Sequence, residues 1–272
     1  MSGPSDSSAH DQRRLNRLLA FVSRAHRRPI HRDRRSSQER AQTWERELGS
    51  ELSFWKEYID SGGLEWPDEY AERLDPSAPL REHLIADRLP DISSETVSIL
   101  DVGAGPMTTL GKTHPGKTLA ITAVDPLAAD YDRLLEQGAL TPPVRTLPCR
   151  GEDLLEHFFP ESFDVAYARN SLDHGDDPLL IIRNMVRLVR PGGLVVLRHY
   201  RTEGETELYS GLHQWNFEIQ DGDFLVWSRW AGHNVTRMLA SEVELECWYE
   251  GGSDHADWVV CVMTKRTRRL TY

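Results

Sequence analysis

Three groups of residues have the types and spacing needed for chemistry. The first is the run Asp101-Val102-Gly103-Ala104-Gly105-Pro106, whose two glycines let the backbone turn tightly and approach a ligand closely. The second is Asp125, 24 residues after Asp101, whose carboxylate can accept hydrogen bonds from ribose hydroxyls. The third is a set of histidines that can remove a proton near neutral pH: His174, His199 and His213. Together they indicate a nucleotide-like ligand bound beside a group that must lose a proton.

Short apolar runs come directly before most of these residues and predict the strands that position them. The predicted strands are Val97 to Asp101, Leu119 to Val124, Pro143 to Leu147, Phe163 to Ala168 and Leu194 to Arg198. Between them lie helical stretches, of which Pro178 to Val189 is the clearest. Strands that alternate with helices predict a parallel sheet with crossover helices.

We predict further elements on both sides of this sheet in the chain. Residues 1–40 form a basic, partly disordered arm, and residues 41–95 form an N-terminal helical cap. A helix is predicted from about Ser37 to Asp60, with Trp44 and Trp55 on one apolar stripe. Residues 96–272 form the main domain, which closes with antiparallel β-structure at Phe224 to Trp230 and Val243 to Thr264.

Four sequence pieces resemble the class I S-adenosylmethionine-dependent methyltransferases. In chain order they are ILDVGAGP, AVDP, FDVAYARNSLDH and VRPGG, between about Val97 and Tyr200. A dinucleotide site is disfavoured because Met107 stands where a third glycine would be expected, and Pro115 with Gly116 shortens the following helix. The resemblance implies an α/β fold with a Rossmann-like, mostly parallel seven-stranded sheet, helices on both faces and an N-terminal helical extension. It implies S-adenosyl-L-methionine as the cofactor.

The same resemblance assigns the cofactor contacts. Asp101 would hold the methionine end with Gly103, Ala104 and Gly105 beneath it, and Asp125 with Pro126 would bind the ribose. The adenine would lie against Gly151, Glu152 and Asp153, although Arg150 stands where relatives often carry an aspartate. Asn170 would touch the methionine portion. Two of these residues have a structural alternative: Asp125 as a helix N-cap, and Asn170 as a loop cap.

The methyl acceptor is expected beyond the carboxyl ends of the strands. His174, His199 and His213 are the candidate catalytic bases, although a histidine at a strand end is more often a structural hydrogen-bonding residue. The predicted acceptor pocket combines Trp55, Tyr209, His213 and Trp215, with the N-terminal helices folded over the C-terminal strands as a lid. A metal site from His174, Asp173, His199 and Glu205 is conceivable, but their spacing is irregular and we expect no metal ion.

The composition narrows the class of partner. The chain has a net charge of −11, whereas its first 46 residues carry eleven arginines and five acids. An acidic body is a poor nucleic-acid surface, so we expect a small-molecule acceptor that is methylated at oxygen or nitrogen in natural-product biosynthesis.

 The alternatives are an RNA or protein methyltransferase that docks its acceptor through the basic arm, and a non-catalytic S-adenosylmethionine-binding regulatory protein.

The sequence shows neither the pattern of a membrane-spanning protein nor that of a disulfide-bonded protein from an oxidising compartment. No stretch approaches the roughly 20 apolar residues of a membrane span. Three scattered cysteines do not suggest a disulfide framework or a zinc cluster. The expected location is therefore cytoplasmic, and the sequence leaves a homodimer open.

Overall fold

Strands and helices alternate along the chain as the apolar pattern predicts. The computed structural model describes residues 37–251 and 257–267, so residues 1–36 of the basic arm lie outside the described residues. The strands are β1 (Thr96–Val102), β2 (Thr118–Asp125), β3 (Thr146–Pro148), β4 (Phe163–Arg169), β5 (Val189–Tyr200), β6 (Asn216–Gln220), β7 (Asp223–Trp227), β8 (Gly232–Asn234), β9 (Val243–Gly251) and β10 (Asp257–Lys265). The helices are α1 (Ser37–Ser61), α2 (Pro67–Leu74), α3 (His83–Ala86), α4 (Ala128–Gln137), α5 (Leu154–His157), α6 (Pro178–Leu188), α7 (Glu203–Thr206) and α8 (Val235–Leu239).

The main sheet has the predicted architecture. Within the described residues it contains seven strands in the order β3-β2-β1-β4-β5-β10-β9. Strands β1 to β5 run parallel, and β10 is antiparallel to both β5 and β9. The Rossmann-like, mostly parallel sheet is therefore confirmed. Because β1 to β5 are parallel, their carboxyl ends meet at one edge, where α/β folds bind ligands.

Both faces of this sheet are covered, as predicted. Alternate residues of a strand point to opposite faces, so Leu100 packs in one apolar cluster with Met185 of α6. Ile99 packs on the other face with Ile85 of α3. The N-terminal helical extension is also confirmed, since α1 to α3 all precede β1. None of the described helices combines the length and apolar character needed to cross a bilayer.

Three local predictions need correction. The antiparallel strand predicted at Phe224 to Trp230 is β7, but among the described residues it lies in a second sheet with β6 and β8, and β6, which begins at the buried Asn216, was not predicted. The third strand begins at Thr146 and not at Pro143, since proline has no N–H to donate to a sheet. No helix, not even a short one, follows the glycine loop before β2 in the described chain.

The missing helix has a local cause. Thr108 Oγ1 donates to Asp101 Oδ2 at 2.5 Å and accepts from Leu110 N at 3.0 Å, which replaces a helical hydrogen-bond pattern. Gly111 then packs so closely that a Cβ there would lie 2.0 Å from the carbonyl oxygen of Pro79. The segment after the glycine loop is therefore tied to the N-terminal extension.

Candidate active site

The glycine loop follows β1 and is held by the neighbouring strands. Gly103 and Gly105 have φ angles of 72° and 64°, which side chains rarely tolerate. The amides of Gly103 and Ala104 donate to the carbonyl oxygen of Val124 at 2.9 and 3.1 Å. Thr146 Oγ1 donates to the carbonyl oxygen of Gly105 at 2.8 Å. The loop is thereby fixed to β2 and β3.

Two side chains pack directly against this loop. A Cβ at Gly103 would lie 2.4 Å from Cβ of Ser171, and a Cβ at Gly105 would lie 2.6 Å from Cζ2 of Trp55. Ser171 Oγ also donates to the carbonyl oxygen of Val102 at 3.0 Å. Close packing of the chain itself therefore requires glycine here, in addition to the tight turn and the approach of a ligand that the sequence analysis considered.

Asp101 is a buried carboxylate at the end of β1. Burial raises its pKa to about 6, although the hydrogen bond from Thr108 and the nearby charges of Arg73 and Arg169 act in the opposite direction. Arg73 is itself buried, and it donates to the carbonyl oxygen of Met107 at 2.6 Å. Asp101 thus lies in a low-dielectric site beside two guanidinium groups.

Asp125 is buried at the end of β2. Its Oδ2 accepts from the amide of Gly105 at 3.1 Å, and its Oδ1 accepts from the amide of Leu127 at 2.9 Å. Burial raises its pKa to about 7 despite these hydrogen bonds. The N-cap of α4 is Leu127, so Asp125 is not itself the N-cap, but it accepts the hydrogen bond of the Leu127 amide from two residues before it, across Pro126. The ribose role of Asp125 stays a prediction.

The two carboxylates fit the cofactor that the sequence implies. An ionised carboxylate offers about four acceptor positions, of which Asp101 uses one and Asp125 two among the described residues. Burying such groups is costly unless further donors reach them. An ammonium group and ribose hydroxyls are donors of that kind, so the chemistry of this edge suits the methionine and ribose parts of S-adenosylmethionine.

Helix α1 lies along the same edge and contacts three parts of it. The Arg150 guanidinium lies 4.5 Å from the ring centroid of Trp44, and Glu51 Oε2 lies 3.6 Å from Nδ1 of His174. Trp55 covers Gly105 and donates from Nε1 to Glu51 Oε1 at 2.7 Å. Helix α1 thus covers the glycine loop and its neighbours, whereas α3 packs against the C-terminal strands, where His83 Nε2 lies 3.5 Å from Glu250 Oε1 of β9 and Ile85 shares an apolar cluster with Val260 of β10. The lid over the acceptor stays a prediction.

The predicted adenine turn follows β3 and has structural contacts of its own. Glu152 Oε1 accepts from the amides of Asp176 and Asp177 at 2.8 and 3.1 Å. A Cβ at Gly151 would lie 2.8 Å from Ile181 of α6. Asp153 lies in the same turn, and its amide donates to the carbonyl oxygen of Arg150. The adenine assignment of Gly151, Glu152 and Asp153 remains a prediction.

Asn170 follows β4 in a left-handed conformation, with a φ of 46°. Its amide donates to the carbonyl oxygen of Arg198 at 2.9 Å, and its Oδ1 accepts from the amide of Tyr200 at 3.3 Å. Asn170 therefore joins the ends of β4 and β5, which corresponds to the loop-capping alternative. Its contact with the cofactor stays a prediction.

Asp173 and His174 follow Ser171 after one intervening residue, and they form a polar cluster with His213 of the segment before β6. His213 Nδ1 lies 2.7 Å from Asp173 Oδ2 and 3.2 Å from His174 Nε2. His174 Nε2 lies 3.4 Å from the same oxygen of Asp173. The amide of Gln214 donates to the carbonyl oxygen of Asp173 at 3.1 Å, which fixes the two segments together. Two of the three predicted base candidates are thus in contact.

The charges of this cluster are strongly coupled. Burial acts to raise the pKa of Asp173, but His174 and His213 outweigh it and hold the pKa well below its usual range. Burial acts to lower the pKa of His213, yet the hydrogen bond and charge of Asp173 raise it to about 9. An ionised pair of Asp173 and His213 is therefore favoured.

His199, the third base candidate, is separated from that contact. Its ring is buried and stacks on Phe217, with the ring centroids 4.2 Å apart. Burial lowers its pKa to about 4. Within the described part of the chain neither ring nitrogen of His199 has a hydrogen-bond partner. The low pKa favours a neutral ring near pH 7. The catalytic role of His199 stays a prediction.

The other predicted pocket residues have structural partners. Trp215 is 3% exposed and donates from Nε1 to the carbonyl oxygen of Gly175 at 3.0 Å. Tyr209 accepts at its hydroxyl from Asn216 Nδ2 at 3.3 Å. The first contact holds the segment between β5 and β6 beside the loop after β4, and the second joins that segment to the start of β6. A contact of either residue with the methyl acceptor stays a prediction.

Sequence reasoning missed four residues at this edge: Trp44, Glu51, Arg73 and Arg169. Arg169 is the last residue of β4, and its Nη1 donates to Glu69 Oε2 at 3.1 Å. Its position at a strand end was a usable signal, since ligand-contacting residues concentrate there. Glu51 and Arg73 gave no such signal, because they lie on helices far from the sheet in sequence.

Comparison with known proteins gives a consistent family. Residues 100–197 match the model of a methyltransferase domain. The chain is 30% identical over 178 residues to a ubiquinone biosynthesis O-methyltransferase of Pseudomonas syringae pv. tomato, covering 59% of this chain and 73% of that protein. A ubiquinone biosynthesis O-methyltransferase of Pseudomonas fluorescens is 29% identical with the same coverage. A solved structure of Burkholderia thailandensis 1,6-didemethyltoxoflavin-N1-methyltransferase has a TM-score of 0.46 and 17% identity, over 88% of this chain and 94% of that one.

Proposed function

The chain belongs to the class I S-adenosylmethionine-dependent methyltransferases, and from this premise we propose that it methylates an oxygen or nitrogen atom of a small molecule. The observation that supports the proposal is the contact between the cofactor loop and the segment after β4, which carries two residues of the acceptor-side cluster. Ser171 packs on Gly103, and Asp173 and His174 follow it after one intervening residue. A polar cluster is thereby held beside the loop that would bind the cofactor.

The residues of this edge have separate tasks in the proposal. When bound, S-adenosylmethionine supplies a methyl group on a sulfonium sulfur, which keeps the electron pair of the broken C–S bond. Asp101 and Asp125 hold the cofactor through its amino and hydroxyl groups. Trp55 and Ser171 pack against the loop and keep it in one conformation, which favours alignment of donor and acceptor.

The cluster of Asp173, His174 and His213 binds the acceptor. An acceptor oxygen or nitrogen forms the new bond to carbon with its own electron pair, and its proton leaves through the cluster. A hydroxyl or amine needs a polar partner for this step, and a purely apolar pocket offers none. The names of the curated relatives, which are O-methyltransferases of ubiquinone biosynthesis, support a small hydroxylated acceptor.

The charge of the chain supports a small molecule over RNA. The net charge is −11, and nucleic-acid binding depends largely on neutralising phosphates. The proposal includes a role in natural-product biosynthesis. Its support is that the relatives are named for the biosynthesis of a small molecule, ubiquinone.

The test is formation of S-adenosylhomocysteine with a panel of phenols, catechols, aliphatic alcohols and amines. We expect turnover with at least one class, and a loss of about 100-fold or more in Asp173→Ala, the scale of a lost proton-transfer group. Affinity for S-adenosylhomocysteine, measured by calorimetry, should be nearly unchanged in that variant. The matched control is His157→Gln, an exposed histidine at the end of α5.

Binding of the cofactor without turnover of any acceptor would contradict the proposal. The chain would then be better described as a non-catalytic S-adenosylmethionine-binding protein. Equal loss in Asp173→Ala and His157→Gln would contradict the role of the cluster.

A further inference from the structure

One carboxylate oxygen and two imidazole nitrogens meet at a single point of the cluster. The atoms are Asp173 Oδ2, His213 Nδ1 and His174 Nε2, and their separations are 2.7, 3.2 and 3.4 Å. Asp173 and His174 come from the loop after β4, whereas His213 comes from the segment before β6. Two separate parts of the chain thus present ligand atoms to the same small space.

The Asp173–His213 ion pair accounts for only one side of this triangle. A ring nitrogen has one in-plane position, which holds either a proton or a lone pair. His213 Nδ1 nevertheless faces two partners, Asp173 Oδ2 and His174 Nε2. A metal ion at the centre of the triangle would displace the proton that His213 shares with Asp173 and would then use one lone pair from each of the three atoms.

The distances suit such an ion. Zn–N bonds of about 2.0–2.1 Å in a tetrahedral site place two ligand atoms about 3.3 Å apart. The separations of His174 Nε2 from the other two atoms are 3.2 and 3.4 Å. Only the 2.7 Å contact between Asp173 and His213 would have to open, by about 0.6 Å.

The surroundings provide independent support. Asp173 is 1% exposed, and its Oδ1 has no hydrogen-bond partner among the described residues. A buried carboxylate with an unused oxygen is costly without a further cation or donor. Glu51 Oε2 lies 3.6 Å from His174 Nδ1, on the side of the ring away from the cluster. Metal-binding histidines commonly have a carboxylate at that second nitrogen.

From this geometry we propose that Asp173, His174 and His213 bind one divalent transition-metal ion of the Zn²⁺ type. Imidazole ligands suit Zn²⁺, whereas Mg²⁺ prefers oxygen ligands. The inference rests on the proposed function and refines its proton step: with the three ligand atoms on the ion, a hydroxyl of the methyl acceptor would bind at the open side of the ion, and its proton would leave to water and not to a cluster side chain. This site replaces the sequence expectation of no metal, and it uses His213 in place of His199 and Glu205.

The test is calorimetric titration of the full-length, chelator-treated protein with ZnCl₂. We expect one Zn²⁺ per chain and little heat with MgCl₂. His174→Gln and His213→Gln should each weaken Zn²⁺ binding by about 100-fold or more, because loss of a direct ligand should cost at least as much as loss of a residue that hydrogen-bonds to a ligand. His157→Gln should bind Zn²⁺ as the unmodified protein does. Circular dichroism spectra check that each variant is folded.

A second readout uses Co²⁺ in place of Zn²⁺, because the visible spectrum of Co²⁺ reports its ligands directly. We expect intense bands in the unmodified protein that are lost in His213→Gln. Zn²⁺ binding of equal strength in the unmodified protein and in both histidine variants would overturn the inference.

Failure of the inference is distinguishable from failure of the proposed function. A chelator-treated protein that forms S-adenosylhomocysteine at the full rate would overturn the metal's role in the reaction and leave the methyltransferase proposal intact. Tight Zn²⁺ binding by a protein that methylates no acceptor would contradict the proposed function and support the site.

Discussion

The packing of Trp55 on Gly105 makes a quantitative prediction for Gly105→Ala. The new methyl group would lie 2.6 Å from Trp55 Cζ2, and the residue would keep a φ of 64°. The left-handed conformation costs an alanine about 1–2 kcal/mol, and overpacking costs about 1–3 kcal/mol more. The variant should therefore lose roughly 2–5 kcal/mol in its free energy of unfolding.

A double-mutant cycle separates the two contributions. In the background of Trp55→Ala the collision is removed, so Gly105→Ala should cost only about 1–2 kcal/mol. The matched control is Gly192→Ala, because Gly192 has a φ of 82° but no atom within 4 Å of its added Cβ. It should cost about 1–2 kcal/mol whether or not Trp55 is present.

The assay is urea unfolding followed by far-UV circular dichroism, which does not depend on the fluorescence of Trp55. If Gly105→Ala costs as much with Trp55→Ala as without it, helix α1 does not rest on the cofactor loop. That result would refute the placement of α1 across the active edge.

Two further predictions concern the cofactor side. The pKa of Asp125 is raised to about 7 and that of Asp101 to about 6. Between pH 4 and pH 7 the unliganded folded protein therefore binds protons that the unfolded chain has lost. The contribution of these two groups to the free energy of unfolding falls as the pH rises through this range. The donors of the cofactor favour the ionised carboxylates, so calorimetry should show affinity for S-adenosylhomocysteine rising from pH 5.5 to pH 8, by up to about tenfold per pH unit below a pKa, with a smaller rise in Asp125→Asn. Glu152→Ala should lose about 1–3 kcal/mol in urea unfolding because it leaves two amides unpaired, whereas Glu152→Gln keeps an acceptor and should lose less; equal losses would contradict this.

The methyltransferase sheet was predictable because its strands are short, apolar and separated by helices. Leu100 and Val124 belong to runs that are buried on both sheet faces, and burial of that kind leaves a clear apolar pattern. The ligand edge was equally accessible, since Asp101, Asp125 and Asn170 each come at the end of such a run. Strand β6 could not be predicted in this way, because it begins with a polar residue, Asn216. That residue is buried, and its side chain donates a hydrogen bond to the carbonyl oxygen of Trp227 in the neighbouring strand.

By itself, the sequence predicted the fold, the family and the edge at which we expect the ligand, because all three depend on local periodicity and on residues close together in the chain. Only the tertiary structure decided which side chains meet at that edge. Trp55 reaches Gly105 across 50 positions of sequence, and His213 reaches Asp173 across 40. Contacts of this kind depend on how separate elements pack, and helical or strand periodicity does not encode the partner.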